Sequence, residues 1–190
     1  FIIIVANQTN GYFLWDGTLF YRAGTLAPTV TVTAGGSGYT SGATAAASGG
    51  SGSGATFAVT VTGGVVISIA IITPGTGYAA TDTVTLTISP VGAGSGATAT
   101  VRLMPFAIGG TTAETYTGHV WVALNATITY SAPGSYDNFS AANGGGNFTS
   151  SDPFLRVQYT QLVASNGFLY LVGDSSINYI SGVSTSGSPP

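Results

Sequence analysis

His119 is the sole histidine of the chain, so a Ser-His-Asp relay, or a metal site built on imidazole, has to form around it. Its neighbours Val120, Trp121 and Val122 place it at a strand edge, where a structural role is expected. A nucleophile elbow needs a serine on a strand-to-helix turn, and no helix follows Gly35-Gly36-Ser37-Gly38. Glycoside cleavage needs two carboxyl groups facing one sugar ring. The candidates Glu114, Asp137, Asp152 and Asp174 have the turn-like context in which acids cap the backbone. Asp137 with Asn138, or Asp152, offers loop oxygens to a calcium ion, but no spaced acidic ladder surrounds them. Gly49-Gly50-Ser51-Gly52 lacks the lysine and the helix of a phosphate loop. With no cysteine, thiolate metal sites and disulfides are excluded. The expectation is therefore no catalytic, cofactor-binding or metal residue, and no enzyme.

The elements that would position these groups are all β. Gly, Thr, Val and Ser dominate, and no window repeats apolar residues at helical spacing. An apolar start, Ile2-Ile3-Ile4-Val5, is followed by Tyr12-Phe13-Leu14-Trp15, the hairpin signal Asp16-Gly17 and Thr18-Leu19-Phe20-Tyr21. The opening apolar run is far shorter than the ~20 residues of a membrane span. The last zone alternates in the same style through His119 to Leu124, Ala126 to Ser131, a strand within residues 154–163, and Gly167 to Val172 paired with Ser176 to Ile180. A Gly- and Asn-rich loop is expected over residues 132–152. Because the chain opens inside an apolar run and closes on Gly187-Ser188-Pro189-Pro190, both ends are expected to be cuts in a longer polypeptide.

Between these zones lies a duplication. Val30-Thr31-Val32-Thr33 leading to Gly36-Ser37-Gly38-Tyr39 recurs as Ile69-Ala70-Ile71-Ile72-Thr73 leading to Gly75-Thr76-Gly77-Tyr78. Gly52-Ser53-Gly54-Ala55-Thr56 recurs as Gly94-Ser95-Gly96-Ala97-Thr98, each followed by a strand. The order is the same in both halves, with Gly63-Gly64 as the hairpin between them. Each Gly-x-Gly-Tyr is expected to turn through positive φ and lay its tyrosine over an apolar edge. Residues 41–53, almost only Gly, Ala, Ser and Thr, fit either a mobile loop or a thin extended crossing. The predicted organisation is an aromatic host domain, residues 1–28 and 104–190, interrupted by a duplicated Gly-rich β module, residues 29–103. Short-turned multi-strand units fit a partial β-propeller-like host, with a flat sandwich as the alternative.

Charge is scarce: three arginines, no lysine and six acids in 190 residues, with 44% apolar residues and a net charge of −3. Three positive charges cannot build the phosphate-neutralising stripe of a nucleic-acid binder. A surface this poor in ions is either coated in Ser, Thr, Gly and Asn or covered by neighbouring subunits, and the apolar fraction favours the second. The large apolar residues expected at such an interface are Phe20, Tyr21, Tyr136, Phe139 and Phe148. The alternative class is an extracellular adhesin or carbohydrate-binding module, with Trp15, Trp121 or Tyr136 stacking on sugar. Four Asn-x-Ser/Thr sequons, at Asn7, Asn125, Asn138 and Asn147, keep that class open.

The order of motifs in the outer zones resembles the propeller-like tail hub, or nozzle, proteins of short-tailed bacteriophages. The residues that carry it are Asn7 through Gly11-Tyr12, Trp15-Asp16-Gly17 and Leu19-Phe20; His119-Val120-Trp121-Val122, Ile128-Thr129-Tyr130-Ser131 and Pro133; Asp137-Asn138-Phe139; and Asn166-Gly167 through Gly173-Asp174-Ser175-Ser176-Ile177. The middle repeat resembles a module inserted in many phage virion structural proteins. The resemblance implies a virion component: a homo-oligomeric ring, hexameric in that family, below the portal and adaptor, lining the genome-exit channel and docking tail fibres or spikes. A negative wall would repel passing DNA and not hold it.

Overall fold

The computed structural model describes residues 3–150 and 159–183. Sixteen strands follow in chain order: β1 (Ile3–Asn7), β2 (Gly11–Trp15), β3 (Phe20–Tyr21), β4 (Leu26–Ser37), β5 (Thr44–Ser48), β6 (Ser53–Thr62), β7 (Val65–Thr76), β8 (Thr85–Ser89), β9 (Ser95–Leu103), β10 (Thr112–Tyr116), β11 (His119–Leu124), β12 (Thr127–Tyr130), β13 (Gly146–Thr149), β14 (Tyr159–Ser165), β15 (Phe168–Gly173) and β16 (Ile177–Ile180). A single 3-10 turn, Ala141–Asn143, is the one helical element among the described residues. The fold is all-β, as the composition predicts.

The chain divides into an outer unit, Phe1–Gly17 with Pro105–Pro190, and a middle unit, Thr18–Met104. Residues 18–28, grouped by composition with the outer zone, belong to the middle unit. The end of this stretch is tied to the middle unit by pairing: Leu26 lies opposite Leu103 in the β4–β9 ladder. Just before it the Met104 amide donates to the Thr25 carbonyl at 3.0 Å.

The middle unit shows how the duplication is used. Counting β4, β5 and β6 as the first repeat and β7, β8 and β9 as the second, the three long ladders each join one repeat to the other: β4 with β9, β5 with β8, and β6 with β7, all antiparallel; only the short β8–β9 contact at Thr85 and Thr100 lies within a repeat. Equivalent positions make equivalent contacts. The Thr33 and Thr98 hydroxyls meet at 2.7 Å, and those of Thr56 and Thr73 at 2.8 Å. Gly36 and Gly75 both have positive φ. A Cβ on Gly36 would fall within 2.4 Å of the Ser95 carbonyl oxygen, and one on Gly75 within 2.8 Å of that of Ser53.

The two tyrosines are buried, each on a glycine of the opposite repeat. Tyr39 covers Gly94, where a Cβ would lie 2.8 Å from the ring, and Tyr78 covers Gly52, where it would lie 2.4 Å away. Gly63 and Gly64, at φ +60° and +82°, form the two-residue turn between β6 and β7. The Ala-rich run left open between loop and crossing is a strand, β5. Its Ala45 and Ala47 alternate inward, and it pairs with β8 without a bulge.

The outer unit is built from meanders. β1 pairs with β2; β10 to β13 form one four-stranded sheet; β14 to β16 form a three-stranded one, all in sequence order. β13 falls within the expected loop, and β10 lies where no strand was expected. They are short and polar, so only their neighbours' open ladders reveal them. β11 is buried along nearly its whole length. One of its faces carries Trp121 and Ala123 into a cluster with Ile128, Tyr159, Leu162, Leu169 and Leu171. That cluster joins the two larger sheets. Val120 and Val122 are buried on the opposite face, as the two-residue period of a strand requires.

Candidate functional site

The outer unit gathers most of the residues in which chemistry was sought. His119 opens β11, and β11 is an inner strand with β10 and β12 on either side, so the expected strand-edge position is replaced by a buried one. Its Nδ1 contacts the Ser131 carbonyl oxygen. A carbonyl oxygen can only accept, so Nδ1 carries the hydrogen. The ring also lies 5.8 Å from Trp121 and 6.0 Å from Tyr130, centroid to centroid.

Ser131 and Asp137 join this neighbourhood, which brings a His, a Ser and an Asp together. Their bonding is not that of a relay. The fully buried Ser131 hydroxyl accepts from the Val120 amide at 2.8 Å and lies 2.7 Å from the Ser135 carbonyl oxygen, to which it donates. His119 meets the backbone carbonyl of Ser131, while the Ser131 hydroxyl hydrogen is spent on the Ser135 carbonyl oxygen. Asp137 accepts from the Ser135 hydroxyl at 2.8 Å. The same Ser135 oxygen accepts from the Asn138 amide at 3.0 Å. These bonds hold residues 131–140 in one conformation. The fully buried Tyr12 hydroxyl donates to the Tyr136 carbonyl at 2.7 Å. Its phenol is pushed well above the ordinary range, first by burial and then by the Asp137 carboxylate and Tyr136.

The other acids do not converge. Glu114 lies in β10, not in a turn, and its Oε1 accepts from the Thr115 amide. Asp174 is exposed beyond β15. Asp152 lies outside the described residues. No group of three His, Cys, Asp or Glu side chains placed to hold a metal ion occurs among the described residues. No helix of the structure is long and apolar enough to cross a membrane.

The five residues expected at an interface divide. Phe20 is 51% exposed, Tyr136 43% and Phe148 38%. Tyr21, by contrast, is buried at 2%: it follows Phe20 in a strand, so the two side chains point to opposite faces and only one can be outward. Phe139 is half-buried, edge-on to Tyr12 with ring centroids 5.4 Å apart. Trp121, a candidate for sugar stacking, is buried in the core, and Trp15 is half-buried. Sequence reading missed the most exposed apolar pair, Ile177 at 68% and Tyr179 at 63%. Both stand on one face of β16, which has one partner strand among the described residues, and their i, i+2 spacing was the available signal.

One turn departs from local rules. The hairpin between β10 and β11 turns on Thr117-Gly118, at φ +46° and +77°. A β-branched residue is strained in that region. The Thr117 hydroxyl oxygen is moreover buried without a hydrogen-bond partner. In comparison with known proteins, the chain matches no protein-family model, no curated protein sequence and no solved structure.

Proposed function

We propose that this chain is a structural subunit of a phage tail, one copy in a closed hub or nozzle ring around the genome-exit channel, working by shape and not by catalysis. The observation that carries the reading is a surface nearly free of ions yet studded with large apolar side chains. Nine formally charged residues share an accessible surface of 9482 Å². A soluble free domain usually places charge on about 25–35% of its surface positions. Phe20, Phe148, Ile177 and Tyr179 stand exposed on that surface. Sister subunits, with portal, adaptor and fibre or spike proteins at the ring's rims, would cover such residues.

Two successive meander sheets, β10 to β13 and β14 to β16, support a propeller-like reading of the outer unit. The net charge of −3 suits a wall past which DNA slides. Mass photometry of the chain, repeated by light scattering at high concentration, tests the proposal. One closed assembly, a hexamer by the family resemblance, is expected, and the double variant Ile177→Lys/Tyr179→Lys should weaken it. Single copies persisting at high concentration, with the aromatic strands open to solvent, overturn it. Glycan binding by such single copies would favour an adhesin in its place.

A further inference from the structure

A recess of about 160 Å³ opens in the outer unit between the β10–β11 turn and residues 131–140, lined by Thr115, Gly118, His119, Gly134 and Tyr136. Its walls are tied together. The Gly134 amide donates to the Gly118 carbonyl at 2.7 Å, joining the two loops. Tyr136 is anchored through its own carbonyl by the buried Tyr12 hydroxyl, and the residue as a whole is 43% exposed. The Ser131, Ser135 and Asp137 bonds described above brace the same loop from behind. Such a recess is formed before any ligand arrives, which is the usual state of a small-molecule site.

A second observation comes from the turn that forms one wall. Where β14 turns into β15, the two-residue loop is Asn166-Gly167, the pair that tolerates positive φ, and Asn125 fills the positive-φ position between β11 and β12. At the recess the corresponding residue is Thr117, at φ +46° and with its hydroxyl oxygen buried and unpartnered. Both departures cost stability, and an asparagine would relieve the first. Strain kept where the local rule offers a cheaper residue marks functional positions.

Among the described residues, the lining carries no arginine, lysine or carboxylate. It offers an exposed aromatic residue, the Thr115 hydroxyl and two glycines that leave room at the floor, with the buried His119 ring behind them. An aromatic face suits the C–H face of a sugar, and a hydroxyl suits its rim. The volume is well below the ~300–1,000 Å³ of sites for drug-sized ligands, so it admits one ring. We propose that this recess is a subsite for a single neutral pyranose, stacked on Tyr136 and bounded by the Thr115–His119 turn. The inference stands on this geometry alone and holds whether or not the chain forms a ring.

His119 gives the test a single reporter, since no other histidine contributes a signal. The full chain, labelled in histidine, is titrated by NMR with methyl α-glucoside, methyl β-galactoside, methyl α-mannoside and N-acetylglucosamine to tens of millimolar. At least one sugar is expected to move the imidazole signals saturably. Tyr136→Ala should weaken that sugar about tenfold or more with the unfolding temperature unchanged, while Tyr136→Phe, which keeps the stacking face, should retain it. Thr117→Asn should raise the unfolding temperature yet weaken binding. No saturable shift with any of the four, or a Tyr136→Ala variant that binds like the parent, overturns the proposal.

Discussion

In the middle unit the closest contacts are between a ring or a strand and a bare backbone, as where Tyr39 and Tyr78 cover Gly94 and Gly52. In the outer unit they are between large side chains, as where Trp121 stacks on Tyr130 at 5.1 Å. There the Trp121 indole N–H also donates to the Tyr116 carbonyl at 3.0 Å. The middle unit therefore depends on what is missing from its glycines, and the outer unit on what its aromatic residues fill. The two units are loaded differently: added methyl groups damage the middle unit at its ring-covered glycines, and removing a ring damages the outer unit, where tight glycines such as Gly110 and Gly145 are met mainly by strand and loop backbone.

Trp121→Ala should have the largest effect, roughly 3–5 kcal/mol, because it empties the middle of the cluster between the two larger sheets. Hydrogen exchange should show the loss of protection in β11, β12 and β15. Equal loss in β6 and β9 would break the distinction between the units. Gly52→Ala comes next, at about 1–3 kcal/mol, since the new Cβ would lie 2.4 Å from Tyr78 and ring or strand must shift. Both tryptophans lie in the outer unit. Tryptophan fluorescence should therefore report little of this change, while exchange in β6 and β7 reports it fully.

The smallest effect tests a difference between the two repeats themselves. Four residues after each tyrosine stands Ala43 in the first repeat and Asp82 in the second. The Asp82 carboxylate accepts from the Ser51 amide, the Ser51 hydroxyl and the Ala79 amide, all at 2.8 Å. The backbone bond from Ser51 leads in holding its carboxyl below the ordinary aspartate value of 3.8. A depressed carboxyl contributes stability that is present above its unfolded value and lost as pH falls through its folded one. The Ser51 and Ala79 amide resonances should thus titrate together with a midpoint under 3.8. In Asp82→Asn they should not move. Exposure to solvent keeps the effect on global stability slight.

Much of the middle unit was legible because its duplication is written in glycines, whose spacing fixes turns wherever φ must be positive. What the repeat could not disclose is the exchange of partners, since a ladder within a repeat and a ladder between repeats leave the same alternation in sequence. The outer unit was read less well. β10 and β13 carry Thr, Glu, Gly and Asn, and they are strands only because β11 and β12 offer them open ladders. Tyr21 was misplaced by one residue of strand phase, and such a slip exchanges inside for outside. The recess beside Tyr136 had no sequence signature, since its lining comes from a turn and a loop about twenty residues apart. Thr117 before a glycine, in a position that favours asparagine, was the one visible trace.

The exchange between repeats bears on how such a unit can arise and how it can fail. A lone repeat would carry one tyrosine with no glycine seat beneath it and one glycine seat with no tyrosine, together with three strands whose long ladders are made with the other repeat. It is therefore half of a homodimer, and tandem fusion turns that dimer into a single chain whose halves are held at fixed, high local concentration. The same complementarity lets half of one molecule accept half of another, so strand swapping between copies is the misassembly to which this unit is most open.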